Sequence, residues 1–207
     1  MSVVLQQFAR APVAGQVKSR LQPALSPEEA CELHQELVLW ASTTLLASKL
    51  GTVELWVAGG QDFPVFHRCL SLGVTALRAQ QGGDLGARMQ HAITCGLEQH
   101  ERVLLVGSDC PGITVAYLQA ACEQLVVADL VLGPALDGGY VLIGARRRVD
   151  AVFVDIAWGT DTVLQDSLHK AAAAGYRTAL LPALRDIDRP EDLPVWHQLQ
   201  AEARLRQ

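Results

Sequence analysis

Asp109 is the first acidic residue of this chain whose position suggests chemistry. Val103 to Val106 are four consecutive apolar residues, a run typical of a strand buried on both faces at the centre of a parallel sheet. Gly107 ends this run, so Asp109 is predicted at the C-terminal end of the strand, where open α/β sheets bind ligands. A carboxylate there can hold a divalent cation, although a simple turn or a helix cap would also place an acid in this position.

Three cations follow the first predicted strand, Val3 to Phe8, within one short loop. They are Arg10, Lys18 and Arg20. Together with acids after later strands, they suit a metal-bridged polyphosphate, because carboxylates hold the ion while Lys and Arg neutralise the phosphate oxygens. Ordinary surface cations are the alternative for this loop.

Two further acidic motifs lie in the second half of the chain. Asp137 begins a D-G-G motif between two apolar runs, a pattern that predicts at least a hairpin turn. Asp186 and Asp188 precede the helix that Pro190 is predicted to begin, where acids also complement the helix dipole. Taken singly, neither motif specifies a function.

The apolar patterns predict strands that alternate with helices. The predicted strands after the first are Thr52–Ala58, Val74–Ala79, Val103–Val106, Asp129–Pro134, Tyr140–Ala145 and Tyr176–Pro182. Predicted helices begin after a capping box at Ser26, near Phe63, at the caps Asp84 and Thr114, at Thr160 or Asp161, and at Pro190. This order predicts a three-layer α/β domain with a mostly parallel sheet, one domain over residues 1–207.

Composition excludes several classes of function. A net charge of −5 and a pI near 5.6 argue against nucleic acid and anionic membranes as partners. No apolar run approaches the roughly 20 residues that span a bilayer, and the N-terminus does not resemble a signal peptide. Five scattered cysteines without metal-ligand spacing predict reduced thiols in a cytoplasmic protein. The basic run 146–148 is predicted to be a solvated strand end.

Three common α/β site motifs are absent. The first strand is not followed by G-x-G-x-x-G, which argues against a nicotinamide or flavin enzyme. The stretch from Gly15 to Ser19 lacks the first glycine of a phosphate-binding P-loop, and two residues separate Gly15 from Lys18. No G-x-S-x-G nucleophile elbow occurs either.

Six motifs in their order carry a resemblance that covers nearly the whole chain, from Phe8 to Leu193. They are F-A-R-A-P-V-A-G-Q-V-K-S-R-L, Q-G-G-D-L-G-A-R-M, G-S-D-C-P-G, G-P-A-L-D-G-G-Y-V-L-I-G, W-G-T-D-T-V-L and D-I-D-R-P-E-D-L. The chain resembles a bacterial family of GT-A-type glycosyltransferase-like proteins, first described as a domain of unknown function, some of which are named arsenosugar-biosynthesis glycosyltransferases. The implied fold is the α/β/α nucleotide-diphospho-sugar transferase fold (GT-A, Rossmann-like). It is shared with 2-phospholactate and molybdenum-cofactor guanylyltransferases.

The resemblance implies a role for each matched residue. Asp109 and Asp188 correspond to the two acids of the metal site, and Asp109 and Asp137 are the catalytic candidates. The nucleotide- and phosphate-binding set is Arg10, Lys18, Arg20, Gly83 and Asp84. The residues expected to line the acceptor side are Gly138, Gly139, Tyr140 and Trp158.

The chain departs from the family pattern at four positions. Arg10 stands where the family usually has Lys, Ala14 where it has Pro, and Gln16 where it has a basic residue. Arg189 replaces a threonine that would cap the last helix, so a looser helix start is expected. The acids are intact, but a single acid in S-D-C makes the metal site depend on a distant second carboxylate.

The expected function is a metal-dependent transferase that uses magnesium or manganese and a nucleotide-activated donor. The main interpretation is a glycosyltransferase acting on a nucleotide sugar and a small-molecule acceptor. The alternative is a nucleotidyltransferase that joins a nucleoside triphosphate to a phosphorylated small molecule. A non-catalytic nucleotide-binding domain is the third interpretation. The sequence leaves open whether the protein forms a homodimer. The metal site requires Asp109 and Asp188 to converge. Phosphate binding requires Lys18 and Arg20 to face the same cleft, and Lys18 is expected to be an exposed side chain.

Overall fold

Seven stretches of the chain pair into one sheet. The structure, a computed structural model, describes residues 2–205; the end residues 1, 206 and 207 of the predicted domain lie outside them. The strands are β1 (Val3–Arg10), β2 (Thr52–Ala58), β3 (Ala76–Ala79), β4 (Arg102–Gly107), β5 (Leu130–Pro134), β6 (Tyr140–Ala145) and β7 (Thr178–Leu180). Their order is β3-β2-β1-β4-β6-β5-β7, with β6 antiparallel to β4 and β5 and all other pairs parallel.

In the described residues, five α-helices connect these strands and a sixth follows β7. They are α1 (Pro27–Ser48), α2 (Pro64–Leu72), α3 (Leu85–Leu97), α4 (Val115–Gln124), α5 (Val163–Ala173) and α6 (Leu193–Leu205), and short 3₁₀ turns lie at Ser19–Leu21, Asp150–Phe153 and Pro190–Asp192. Side chains of α1, α2 and α4 pack on one face of the sheet, and those of α3 and α5 on the other. This confirms the predicted three-layer α/β fold with a mostly parallel sheet. Within the described part of the chain, no helix is both long and apolar enough to span a membrane.

Strand β4 lies in the middle of the sheet, as its apolar run predicts. Leu104 and Val106 belong to the core on one face, while Val103 and Leu105 belong to the core on the other. Burial on both faces explains why this strand shows no polar alternation. Asp109 follows directly at its C-terminal end.

A third, smaller apolar cluster joins the first loop, helix α1 and the C-terminal region. Leu21 from the first loop packs with Leu33 and Leu37 of α1, and Ile187 and Trp196 join them from the C-terminal region. Leu21, Leu37 and Ile187 are fully buried. The cluster therefore fixes the segment that carries Lys18 against the segment that carries Asp188.

Two predicted strands are shorter than expected. The strands predicted at Val74–Ala79 and Tyr176–Pro182 are reduced to β3 and β7. Both lie at the edges of the sheet and pair on one side only, so the apolar residues that extend each run have no second strand to bond with. The predicted cap of α5 is also wrong. The helix begins after Thr162, whose hydroxyl donates to Asp166, while the hydroxyl of Thr160 donates to the carbonyl of Ala157.

Candidate active site

Lys18 joins the two acids predicted to form the metal site. Its Nζ lies 2.8 Å from Oδ1 of Asp109 and 3.9 Å from Oδ1 of Asp188, and it donates a 2.6 Å hydrogen bond to the carbonyl of Ile187. The end of β4, which leads to Asp109, and the loop after β7, which carries Asp188, therefore converge despite their separation in the sequence. Lys18 itself is in the left-handed region, with φ of +51°, which turns the first loop toward these acids.

The burial of Lys18 corrects one expectation. Its side chain is only 3% exposed, whereas that of Asp109 is 48% exposed, so Lys18 is not an exposed cation. An ammonium that leaves water is stable only when it is paired. Asp109 and the Ile187 carbonyl supply that pairing, and the lysine has a structural role in addition to any role in binding.

Arg20 stands at the entrance to the same group of residues. Its Nη1 donates to Oδ2 of Asp188 at 2.7 Å, and its side chain is 61% exposed. The hydrogen bond and the charge of Asp188 raise the pKa of Arg20. The two oxygens of Asp188 thus face two cations, one buried and one open to solvent.

Ser108, the residue before Asp109, belongs to a buried polar network that the sequence did not reveal. Ser108 donates to the carbonyl of Phe8 at 2.8 Å, and Gln7 donates to the Ser108 hydroxyl at 2.9 Å. Ser42 of α1 donates to Oε1 of Gln7 at 2.6 Å. The sequence signal for this network is the pair Gln6 and Gln7 in the otherwise apolar strand β1. Buried polar side chains need specific partners, so such a pair indicates a polar network.

His34 is a second residue that the sequence analysis missed. It is buried beside the site, and its Nε2 lies 3.0 Å from the carbonyl oxygen of Arg10. Burial lowers the pKa of His34. Burial raises the pKa of Asp109, but the charge of Lys18, with smaller contributions from His34 and Arg10, outweighs it, so the net shift is downward. Asp109 is therefore an ionised carboxylate.

The D-G-G motif forms the turn of the β5–β6 hairpin, which confirms the turn predicted there. The amide of Gly139 donates to Oδ1 of Asp137 at 3.0 Å. Gly138 has φ of +90°, and a Cβ at this position would collide with the backbone of Asp161. Its carbonyl accepts a 2.9 Å hydrogen bond from the amide of Leu164. The turn is thereby packed onto the W-G-T-D segment that precedes α5.

Trp158 closes the other side of this region. Its ring stacks on Phe153 and meets Tyr140 edge to face, with ring centroids 6.5 and 6.3 Å apart respectively. The indole also lies against Gly86 in the first turn of α3, where a Cβ would overlap the ring. Gly86 is thus a packing position that the sequence analysis did not single out.

A cleft of about 640 Å³ connects these parts at the C-terminal end of the parallel strands. Among the predicted site residues, those that line it are Arg20, Asp109, Asp137, Gly139, Tyr140, Trp158 and Asp188. Lining residues that were not predicted include Leu85, Met89, Asp161, Arg185, Asp186 and Glu191. Burial, together with the nearby charges of Asp137 and Asp188, raises the pKa of Asp186.

Besides the buried Lys18, three of the predicted phosphate-binding residues lie outside the lining of this cleft. Asp84 caps α3 by accepting the amide of Ala87 at 2.7 Å, and Gly83 is exposed beside it. Arg10 ends β1 with an exposed side chain. The roles assigned to these three residues stay predictions.

Asp192 bonds back to the residues that precede the last helical segment. The Asp192 carboxylate accepts the amides of Asp188 and Arg189 at 3.1 and 2.9 Å, and Arg185 donates to its other oxygen at 3.0 Å. Arg189 makes no side-chain cap bond, and a 3₁₀ turn at Pro190–Asp192 precedes α6, which begins at Leu193, so the looser helix start stays a prediction. The Asp192 carboxylate also fixes the backbone of Asp188.

The donor set fits a divalent cation that arrives with a phosphate ligand. Among residues 2–205 no three His, Cys, Asp or Glu side chains are grouped as metal ligands. Asp109 and Asp188 nevertheless converge on Lys18. Magnesium is commonly bound through one or two carboxylates, with substrate phosphates and water completing its shell. Two acids beside two cations match that chemistry better than a metal cage made of protein alone.

Comparison with known proteins identifies the family of this chain. The profile of a family described as an uncharacterized protein conserved in bacteria, DUF2064, matches residues 41–160. The chain belongs to this family. It is 29% identical over 179 residues to the 2-phospho-L-lactate guanylyltransferase of Methanothermobacter thermautotrophicus, a match that covers 85% of this chain and 76% of the relative.

Solved structures agree with this assignment. A candidate nucleotide-diphospho-sugar transferase from Desulfovibrio desulfuricans G20 matches with a TM-score of 0.82 and 32% identity, over 91% of this chain and 84% of that one. Rv0371c from Mycobacterium tuberculosis H37Rv, solved in complex with manganese, matches with a TM-score of 0.60 and 14% identity, over 96% and 98% of the two chains. The second likeness shows the fold alone. Together these findings confirm the predicted family and fold.

Proposed function

We propose that this protein is a metal-dependent transferase that uses a nucleotide sugar as donor and a small molecule as acceptor. The observation that carries the proposal is that the buried Lys18 lies between Asp109 and Asp188, two acids that line the cleft. Two carboxylates and a lysine from three separate segments meet where α/β sheets bind ligands. The similar structure of a candidate nucleotide-diphospho-sugar transferase supports this reaction, and the guanylyltransferase supports the broader class of nucleotide-dependent transferases.

The acids and the cations have different roles at the donor phosphates. Asp109 and Asp188 would hold a magnesium or manganese ion, which would neutralise the charge of the diphosphate leaving group. Arg20 presents a fork of donors from an exposed position, a geometry that suits phosphate oxygens. Lys18 is a point charge that keeps the two acids together before the donor binds.

The other side of the cleft suits the acceptor. Asp137 is exposed on the hairpin turn, and Tyr140 and Trp158 form an aromatic wall beside it. In this proposal Asp137 accepts the proton of the acceptor hydroxyl as it attacks the sugar, while the aromatic rings exclude water from that part of the cleft. Gly138 and Gly139 contribute by fixing the turn that presents Asp137.

A nucleotidyltransferase is the second candidate function. It is favoured by the 29% identity to a guanylyltransferase over 85% of this chain. Such an enzyme would use the same cleft for a nucleoside triphosphate and would transfer the nucleotidyl group to a phosphorylated acceptor. A non-catalytic nucleotide-binding domain is a third candidate, which retention of Lys18, Asp109 and Asp188 argues against.

Two measurements in sequence test the proposal. The first is a thermal-shift screen of nucleotide sugars and nucleoside triphosphates with magnesium, with manganese and with a chelator, because a ligand that binds only the folded state raises the melting temperature. We expect a nucleotide sugar to stabilise the wild-type protein only when metal is present. Absence of a shift with every nucleotide would contradict the proposal.

The second measurement separates the candidate reactions by their products. Glycosyl transfer or donor hydrolysis releases a nucleoside diphosphate or monophosphate, whereas nucleotidyl transfer releases pyrophosphate. Asp137→Asn is the matched variant, because it keeps the turn acceptor for Gly139 but removes the carboxylate that accepts a proton. Pyrophosphate as the product would favour the second candidate, and binding without any product would favour the third.

The proposal extends to location and assembly. The five cysteines are all free, which fits a cytoplasmic protein. We propose that one domain carries the whole site, since the cleft draws on segments from Arg20 to Asp192. The homodimer stays a prediction that light scattering of the purified protein tests.

A further inference from the structure

A basic recess lies at the edge of the sheet opposite the cleft. It has a volume of about 550 Å³, and its lining includes Glu101, Arg102, Asp129, Arg146, Arg147 and Arg177. Four arginines stand against two acids there, although the chain as a whole has a net charge of −5. This concentration of positive charge is not explained by the proposed transfer reaction.

The strand order separates this recess from the candidate active site. Arg102 begins β4, Arg177 immediately precedes β7, and Arg146 follows the end of β6, which runs antiparallel to β4. All three therefore lie at the N-terminal ends of the parallel strands, whereas Asp109 lies beyond the C-terminal end. A strand of six residues spans about 20 Å, so one small ligand cannot occupy both places.

Asp129 organises two of the arginines. Nε and Nη2 of Arg146 donate to Oδ1 of Asp129 at 3.2 and 3.0 Å, and Nη2 of Arg177 lies 3.6 Å from the same oxygen. The amide of Arg177 donates to the other oxygen at 3.1 Å. Burial raises the pKa of Asp129, but the amide and the two guanidinium groups lower it by more, so the net shift is downward. A buried, charged carboxylate thus orients both guanidinium groups.

Further contacts hold the guanidinium groups of Arg146, Arg102 and Arg147 in place. Arg146 also donates from Nη1 to the carbonyl of Val126 at 2.7 Å, and Arg102 donates to the carbonyl of Cys122 at 3.1 Å. The guanidinium of Arg147 lies over the ring of Tyr176, 5.6 Å from its centroid. Side chains that are already ordered lose less entropy when a ligand binds.

We propose that this recess binds a small phosphate-bearing anion at a site separate from the transferase cleft. Guanidinium groups bind phosphate oxygens through paired N–H donors, and several of them around one recess match a group that carries two or more negative charges. The recess falls within the range of volumes typical of sites for small organic ligands. A phosphate monoester or a diphosphate of an organic molecule therefore fits it better than inorganic phosphate.

The two ends of the basic run 146–148, Arg146 and Arg148, have different surroundings, in agreement with this proposal. Arg148 is 64% exposed and pairs with Asp150, in keeping with the solvated strand end that the sequence predicted. Arg146 does not fit that prediction, because it is 28% exposed and bonded to a buried acid. Arg148 thus provides a matched control: a neighbouring arginine with the same charge that does not line the recess.

Isothermal titration calorimetry without divalent metal tests the site. The titrants are pyrophosphate, adenosine monophosphate and inorganic phosphate, and the proteins are the wild type, Arg147→Glu and Arg148→Glu. Arg147→Glu reverses a charge of the recess but leaves the bonds of Asp129 intact. We expect it to weaken pyrophosphate or adenosine monophosphate binding by at least about tenfold, while Arg148→Glu changes it less than about twofold. Equal melting temperatures exclude misfolding.

Each other outcome overturns the proposal. Equal losses in Arg147→Glu and Arg148→Glu would indicate nonspecific charge attraction, and no binding by the wild type would remove the site altogether. Arg20→Ala, measured alongside, reports on the cleft: a loss in Arg20→Ala but not in Arg147→Glu would place all anion binding there. Tighter binding of inorganic phosphate than of both larger anions would contradict the assigned ligand class.

Discussion

Lys18 Nζ and Asp109 Oδ1 lie 2.8 Å apart and form the ion pair that links the first loop to the end of the central strand. Lys18 is buried and Asp109 is half-exposed, so removing Lys18 and removing the charge of Asp109 have different consequences. Removal of Lys18 leaves a carboxylate with partial access to water, and removal of the Asp109 charge leaves a buried ammonium. In the proposed function, this pair is the resting state of the nucleotide site.

Lys18→Ala is expected to lower the free energy of unfolding by about 1–3 kcal/mol, because Asp109 and the Ile187 carbonyl lose their donor. Lys49→Ala is a matched control. Lys49 is exposed and has φ of +54°, close to the +51° of Lys18, so backbone strain contributes equally to both. Urea unfolding of the two variants should show a loss within about 0.5 kcal/mol for Lys49→Ala. Equal losses would remove the structural role of Lys18.

Arg20→Ala is expected to weaken the binding of a nucleoside diphosphate by about tenfold and to leave nucleoside binding unchanged, since an ionic hydrogen bond to phosphate is lost. Stability should change little, because the Arg20 side chain is 61% exposed and its pair with Asp188 is open to solvent. Calorimetric titrations with nucleoside and diphosphate measure both affinities. An equal loss for both ligands would show that Arg20 does not recognise phosphate.

The pH dependence of stability should report on Asp192. Burial raises the pKa of this carboxyl, but the amides of Arg189 and Asp188 and the guanidinium of Arg185 lower it by more. A lowered folded-state pKa contributes stability above the unfolded value of about 3.9, and this contribution is lost as the pH falls through the folded value.

Urea unfolding at several pH values between 7 and 3 tests this contribution. At pH 7 Asp192→Asn should be less stable than the wild type by about 1–3 kcal/mol, and the difference should shrink toward pH 3. Asp62→Asn is the control, because Asp62 is fully exposed. A difference between wild type and Asp192→Asn that is constant over this range would contradict the assigned role.

Gly86→Ala should destabilise the protein, although alanine in a helix is ordinarily more stable than glycine by about 0.5–1 kcal/mol. A Cβ at Gly86 would overlap the indole of Trp158, and overpacking costs about 1–3 kcal/mol. In a Trp158→Ala background the same substitution should become neutral or stabilising. A double-mutant cycle by urea unfolding measures this coupling, and additive effects would show that the two residues do not interact.

The sequence predicted the parts of this protein that depend on local patterns. Four apolar residues sufficed to identify β4, and the capping motifs at Ser26, Asp84 and Thr114 identified the starts of α1, α3 and α4. The position of Asp109 followed from the end of its strand. These features arise from neighbouring residues, which a single sequence displays directly.

The parts that were missed depend on contacts between distant residues. Gln7, Ser42 and Ser108 form one buried network although 101 positions separate the first from the last. Lys18 is buried because Ile187 and Asp109, far along the chain, close over it. Nothing next to these residues in the sequence indicates their partners, so burial and pairing became visible only in three dimensions.

Manganese binding, followed by the electron paramagnetic resonance signal of the free ion, tests the central claim most directly. The titration compares wild type with Asp109→Asn, with and without a nucleoside diphosphate. We expect the wild type to take up manganese strongly only with the nucleotide, and Asp109→Asn to lose this uptake by at least about tenfold while remaining folded. Undiminished nucleotide-dependent manganese binding by folded Asp109→Asn would contradict the account.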